Sequence, residues 1–126
     1  MLDQLRGMQL AVESPATGVL LVRVVGRLTG ETGPRLWRLL DGLAGRDGTA
    51  RRRPARLVVD LGNVWEFDAD GVAALEQARL AAAGRGVRLV LDGVDAGRLE
   101  LLPRRVELAL RRLGIASPPV ALLMLP

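Results

Sequence analysis

Arg56-Leu57-Val58-Val59-Asp60-Leu61, followed after a short spacer by Phe67-Asp68-Ala69-Asp70-Gly71-Val72, decides the fold of this chain. The first run is rich in Val and Leu with a continuous apolar centre, which predicts a strand buried on both faces. In the second run Asp68 is a good helix N-cap. Asp70 falls in the first turn, where a carboxylate suits the positive end of the helix dipole. The helix so opened continues through Val72, Leu75, Ala78 and Ala82 to Gly84, and its alanines permit close approach to a sheet. A buried strand feeding a helix calls for a parallel partner strand beyond it.

Upstream, Met8 to Glu13 predicts a short strand and Ser14-Pro15-Ala16-Thr17-Gly18 a turn. Val19 to Leu28 is a strong strand by its β-branched content, and the tight link predicts a hairpin. Thr29 to Pro34 breaks that strand and starts a helix, with Thr29 or Thr32 as cap and Pro34 in the first turn. Leu36, Leu39, Leu40 and Leu43 make one buried helical face, and Gly45 ends it. Downstream, Val87 to Leu91 is the fourth strand, and Asp95 to Leu102 is ambiguous between loop and one helical turn. Val106, Ala109, Leu110 and Leu113 keep the helical period until Gly114. After Ser117-Pro118-Pro119, the apolar run Val120 to Leu125 adds an edge strand, docks on the core or covers an interface. The predicted order is β-β-α-β-α-β-α. That is a single α/β domain over 1–126, with a four- to five-stranded mixed sheet and helices packed alongside. Its core covers about 8–116, and 117–126 form an apolar extension.

The composition narrows the chemistry. The chain has 126 residues, 49% hydrophobic and 25% charged, which suits one packed domain. Aromatics reach only 2%, so the core is built from Leu, Val and Ala. Cys, His, Tyr and Lys are absent. Thiol chemistry, the usual neutral-pH proton shuttle, Schiff-base chemistry and the Walker A lysine are therefore all excluded. Eighteen arginines against fourteen acids give a net charge of +4. With three aromatics, the Arg51-Arg52-Arg53, Arg104-Arg105 and Arg111-Arg112 runs read as solvated surface rather than a nucleic-acid face. No secretory signal and no membrane-length apolar run is visible, so a cytoplasmic protein is expected.

Two motifs together resemble the STAS family, the fold of bacterial anti-sigma-factor antagonists. Gly26-Arg27-Leu28-Thr29-Gly30-Glu31-Thr32-Gly33-Pro34 is similar to the family's Gly-Glu-Leu-Asp segment with its following Thr and Pro. Val59-Asp60-Leu61-Gly62-Asn63-Val64 and Phe67-Asp68-Ala69-Asp70-Gly71-Val72 are similar to Val-Asp-Leu-Ser-x-Val and Asp-Ser-Ser-Gly-Leu. The resemblance implies a non-enzymatic, protein-binding regulator of transcription by partner switching, with no cofactor and no metal. In such antagonists the Ser before the helix-opening Gly is phosphorylated. The unmodified form binds an anti-sigma factor, typically a Ser/Thr-kinase-like protein, and the modified form lets go. Here Asp70 holds that position. It implies a partial mimic of the modified state, a module that has left the phosphorylation cycle, or a charge that only stabilises the helix. The implied partner-binding set is Thr29, Gly30, Thr32, Asp68, Ala69, Asp70, Gly71, Val72 and Leu75, and a homodimer stays open.

Further departures from the family pattern are Thr29 for Asp, Arg27 for Glu, Glu66 for an apolar residue, and a longer loop after Asp95. Trp65 packs in the core or stands out as a partner anchor, with core packing the commoner role of a lone Trp. Glu66-x-Asp68-x-Asp70-Gly71 matches part of a calcium loop, but Gln77 stands where the bidentate Glu belongs and a strand precedes it. Asp60 and Asp68 as a catalytic pair lack any group to complete a site. The alternative to an antagonist is a constitutive STAS subunit of a lipid-type ABC transporter. RNA or anionic-surface binding through Arg trails both.

Overall fold

The computed structural model describes residues 7–45 and 54–115. A hairpin opens it, with β1 (Met8–Ala16) antiparallel to β2 (Val19–Leu28). Then come α1 (Gly33–Leu43), β3 (Arg56–Phe67), α2 (Ala69–Ala83), β4 (Arg88–Asp92), α3 (Ala96–Glu100) and α4 (Arg104–Arg112). The sheet order is β1-β2-β3-β4, and both β2–β3 and β3–β4 are parallel. The expected mixed α/β sheet is therefore present, with four strands among the described residues. The apolar run at Val120 to Leu125 and the Arg51-Arg52-Arg53 run lie outside those residues.

One face of the sheet carries the core. Val22, Val24, Leu57, Val59 and Leu61 point to it and are fully buried, as are Leu36 and Leu40 of α1 and Leu75 of α2. Each such Leu contributes about 1.5–3 kcal/mol by leaving water. The opposite face behaves differently. Leu21, Val25, Val58 and Val90 are only half-buried there, and Arg23 lies exposed between Glu13 at 2.5 Å and Asp60 at 3.6 Å. The hydrogen bond and charge of Glu13 raise the Arg23 pKa above its ordinary value. The expectation that β3 is buried on both faces is thus corrected. A two-faced apolar run also fits a strand whose second face is half-covered by neighbouring side chains.

Several boundaries moved for local reasons. β1 runs on to Ala16, so the turn shrinks to Thr17-Gly18, with Gly18 at φ 76°. Pro15 is tolerated there because β1 is an edge strand and its register slips between Glu13 and Ala16. β3 continues six residues past Leu61, to Phe67. Two register shifts explain why its alternation was hard to follow. Arg23 pairs with Asp60 and Val25 with Asn63; Gly26 pairs with Val64 and Arg27 with Glu66. Each shift inserts one extra residue in β3, so its buried positions step from Leu61 to Val64 and then to Phe67. The ambiguous segment after Asp95 is the short helix α3, capped by the Asp95 carboxylate accepting from Arg98 N at 2.8 Å. From α3 the Arg98 guanidinium lies 5.5 Å above the Phe67 ring and donates to the Leu61 and Gly62 carbonyls at 3.4 and 3.3 Å. The extra loop length thereby clasps the first bulge.

Gly71 is where strand β2 and helix α2 come closest. A Cβ there would strike the Leu28 carbonyl and sit 2.7 Å from Thr29 N. Gly42, on the exposed side of α1, faces no atom within 4 Å. Replacing each by Ala should therefore give opposite signs. Gly71→Ala is expected to lose about 2 kcal/mol or more through overpacking. Gly42→Ala should gain about 0.5–1 kcal/mol. Chemical denaturation of the two variants checks this, and equal shifts would contradict the geometry.

Candidate functional site

Because β2 and β3 are parallel neighbours, their carboxyl ends lie at one edge of the sheet. The Thr29–Thr32 loop leaves the first and α2 begins at the second, so topology brings the two motifs side by side. Ligands and partners of open α/β sheets collect at such edges.

Asp68 joins them. At the N-cap of α2, its Oδ1 accepts from Gly71 N at 2.7 Å, as expected of a cap. Its Oδ2 accepts from Gly30 N at 3.2 Å, and Asp68 N donates to the Leu28 carbonyl at 3.2 Å. One carboxylate therefore holds the loop after β2 against the mouth of α2. The loop is also self-supported. Thr32 Oγ1 accepts from Thr29 N at 2.9 Å and donates to the Arg27 carbonyl at 2.8 Å. Thr29 Oγ1 accepts from Glu31 N at 3.3 Å, and Gly33 N donates to the Thr29 carbonyl at 2.7 Å. Thr32 stands at the N-cap position of α1, but its side chain does not cap that helix. The expectation that Thr29 or Thr32 caps it is corrected: both hydroxyls fold the loop back on itself.

Asp70 sits in the first turn of α2, exposed, against Gly30. A Cβ on Gly30 would come within 3.2 Å of the Asp70 Cβ and 3.4 Å of its Oδ2, so glycine leaves room for the carboxylate. Among the described residues no hydrogen bond or ion pair engages that carboxylate. Gly30 and Asp70 form a ridge between two grooves. Arg27, Thr29, Glu31, Thr32, Trp65, Glu66 and Asp68 border one; Pro34, Trp37, Ala73, Ala74 and Gln77 border the other.

Of the nine residues proposed for partner contact, Ala69 is half-buried and lines a separate groove with Arg105 and Leu108 of α4, whereas Thr29, Gly30, Thr32, Asp68 and Asp70 reach this surface. Val72 and Leu75 do not. They are 1% and 0% exposed and belong to the core, because the helical period turns them toward the sheet. Gly71 is buried beneath Leu28. These three support the surface from below, which corrects their assignment as contact residues.

Trp65 is 66% exposed, against the commoner core role of a lone Trp. The second bulge is the cause. Trp65 is the extra residue between Val64 and Glu66, so both it and Glu66 face outward, and Glu66 reaches Arg27 at 3.3 Å. Trp37 has no role in the sequence reading, and Glu31 enters it only within the Thr29–Thr32 segment. Scarcity was the available signal, since both tryptophans of a chain with three aromatics flank one ridge. The Trp37 indole N–H is buried and has no hydrogen-bond partner among the described residues. Among the described residues no group of three acidic side chains is close enough together to hold a metal ion, and both Asp68 oxygens are taken up by backbone N–H groups. The calcium-loop spacing therefore does not become a calcium-loop geometry. Asp60 likewise accepts from Gly62 N at 2.9 Å at the first bulge. Among the described residues no helix is long and apolar enough to cross a membrane.

A hairpin leading into two parallel β-α-β crossovers, with a capped helix at the carboxyl edge, defines a STAS-type domain. The chain belongs to the STAS domain family: the model described as "Mlab, STAS domain" matches residues 12–123. No curated protein matches it by sequence. Among solved structures, an anti-sigma factor antagonist from Mycobacterium paratuberculosis superposes with a TM-score of 0.64 at 18% identity, over 93% of this chain and 92% of that one. The antagonist SpoIIAA in its unphosphorylated form gives 0.62 at 11% identity, over 90% and 93%. A sulfate transporter family protein from Wolinella succinogenes gives 0.54 at 21% identity, over 84% and 83%. At these identities the likeness is one of fold.

The Asp68 bridge makes a separate prediction. Asp68→Ala should lower stability by about 1–2 kcal/mol and the melting temperature by about 4–8 °C. Asp68→Asn, which keeps one acceptor, should lose less. Amide exchange at Gly30 should quicken in the Ala variant ahead of exchange in the β3 core. Unchanged exchange at Gly30 would mean that the bridge holds nothing.

Proposed function

We propose that this chain is a non-enzymatic, protein-binding STAS module of the anti-sigma-factor-antagonist type whose docking is not gated by phosphorylation at the helix mouth. The partner class is a kinase-like anti-sigma factor. The docking face is the ridge of Gly30 and Asp70 with Thr29, Thr32 and Asp68 around it.

One observation carries the reading. Asp70 stands exposed in the first turn of α2, with its carboxylate engaged by nothing among the described residues; by the motif resemblance we read it as the counterpart of the antagonists' phosphorylatable Ser. A phosphate there would bring a charge of about −1.5 to −2 and three acceptor oxygens. A carboxylate brings one charge, permanently, and no kinase that modifies hydroxyls can change it. The N-terminal location stabilises the helix by about 0.3–1 kcal/mol. That alone does not require the neighbouring Gly30, which keeps the carboxylate open to a partner.

A second reading has its own support. The family description names Mlab, and STAS folds recur in transporter proteins such as the Wolinella succinogenes one. A constitutive STAS subunit of an ABC-type lipid transporter has equally little need of a phosphorylatable hydroxyl.

Binding of the purified chain to each kinase-like anti-sigma factor and each ABC ATPase of the source genome, with and without ATP, tests both. The expected result is an anti-sigma factor that binds the wild type equally with and without ATP. Asp70→Ser should become phosphorylated by that partner and release it. Binding to an ABC ATPase alone would transfer the assignment to the transporter reading. A tenfold or greater tightening in Asp70→Asn would show instead that the charge holds the module in an off state.

A further inference from the structure

Trp65 is held out of the core by the second bulge of β3. The second register shift lets Phe67 turn inward under Asp68, and it also presents an indole that is 66% exposed. Bulges at the ends of strands re-aim side chains in this way, often beside functional sites. Trp is among the residue types enriched at interface hot spots, and this chain has only two.

The surroundings give the chemistry of what would cover it. Glu31, Glu66, Asp68 and Asp70 line the same groove, against Arg27 and Arg35. Arg27 is held by Glu66, and Arg35 donates to the Met8 carbonyl. Glu31 and Asp70 have no ion-pair partner among the described residues. The groove is thus acidic in a chain whose net charge is +4. The cation–ring contact found among the described residues is Arg98 over Phe67, so the Trp65 face carries no cation of its own chain there.

We propose that Trp65 is the aromatic anchor of the docking face and receives an Arg or Lys from a basic segment of the partner protein, the cation lying on the indole with Glu31 and Asp70 nearby. This rests on the protein-binding reading above and names the recognition element of that surface. Cation–π attraction is strengthened when both groups are desolvated, and flanking carboxylates favour the same cation.

The test uses the purified kinase-like anti-sigma factor that binds the wild-type chain. Trp65→Ala should weaken binding by about 30-fold and Trp65→Phe by no more than about fivefold. Melting temperatures of both should stay at the wild-type value, because the side chain is exposed. Raising salt should weaken wild-type binding more than that of Trp65→Ala. Binding of Trp65→Ala within twofold of wild type, while Asp70 variants still alter binding, would overturn the anchor and leave the docking reading standing. If no anti-sigma factor binds the wild type, both fall together. A concentration-dependent dimer of the free chain that Trp65→Ala dissolves would assign the indole to self-association and likewise overturn the proposal.

Discussion

A single carboxylate organises the carboxyl edge of the sheet in this domain. Asp68 closes the first turn of α2 with one oxygen and holds the Gly30 amide with the other. Without that bridge the loop after β2 and the mouth of α2 would be two independent surface features. With it they are joined through one side chain. The close approach of Gly71 to Leu28 fixes their separation from beneath, and the inward turn of Phe67 fixes the height of Asp68. The surface then needs little else: a glycine to leave room, and a charged residue at the ridge.

β3 supplies this arrangement through two insertions. A regular strand from Arg56 would have pointed Asn63, Trp65 and Phe67 inward after Leu61. The bulges turn Val64 inward in place of Asn63 and put both Trp65 and Glu66 outside. Asp60 and Arg98 support the first insertion through the Gly62 amide and the carbonyls of Leu61 and Gly62. The longer loop after Asp95 thus has a structural reason, since it brings Arg98 to the strand. Two departures in sequence, the Trp65-Glu66 pair and the added loop, belong to one strand's geometry.

The element order and the cores of the helices were legible because period and punctuation agree. Leu36 and Leu40 keep a 3.6-residue repeat, and Asp68 followed by Gly71 marks a helix start. The site was legible only as a location. The family resemblance implied Val72 and Leu75 as contacts beside Asp70, but helix geometry sends them into the core. Bulges leave no local signature in sequence, so the exposure of Trp65 is set only by how β3 pairs with β2. The hydroxyls of Thr29 and Thr32 were read as helix caps because cap and loop turn use the same residue types. Only three-dimensional pairing tells them apart.

The proposed docking face is the ridge between the two tryptophan-bordered grooves. The most direct measurement is an amide-exchange footprint of the full chain with and without its purified partner. The account predicts protection confined to residues 27–32 and 64–74, with the half-buried sheet face at Val25, Val58 and Val90 unaffected. Protection on that sheet face, with the 27–32 loop exchanging as in the free chain, would contradict it.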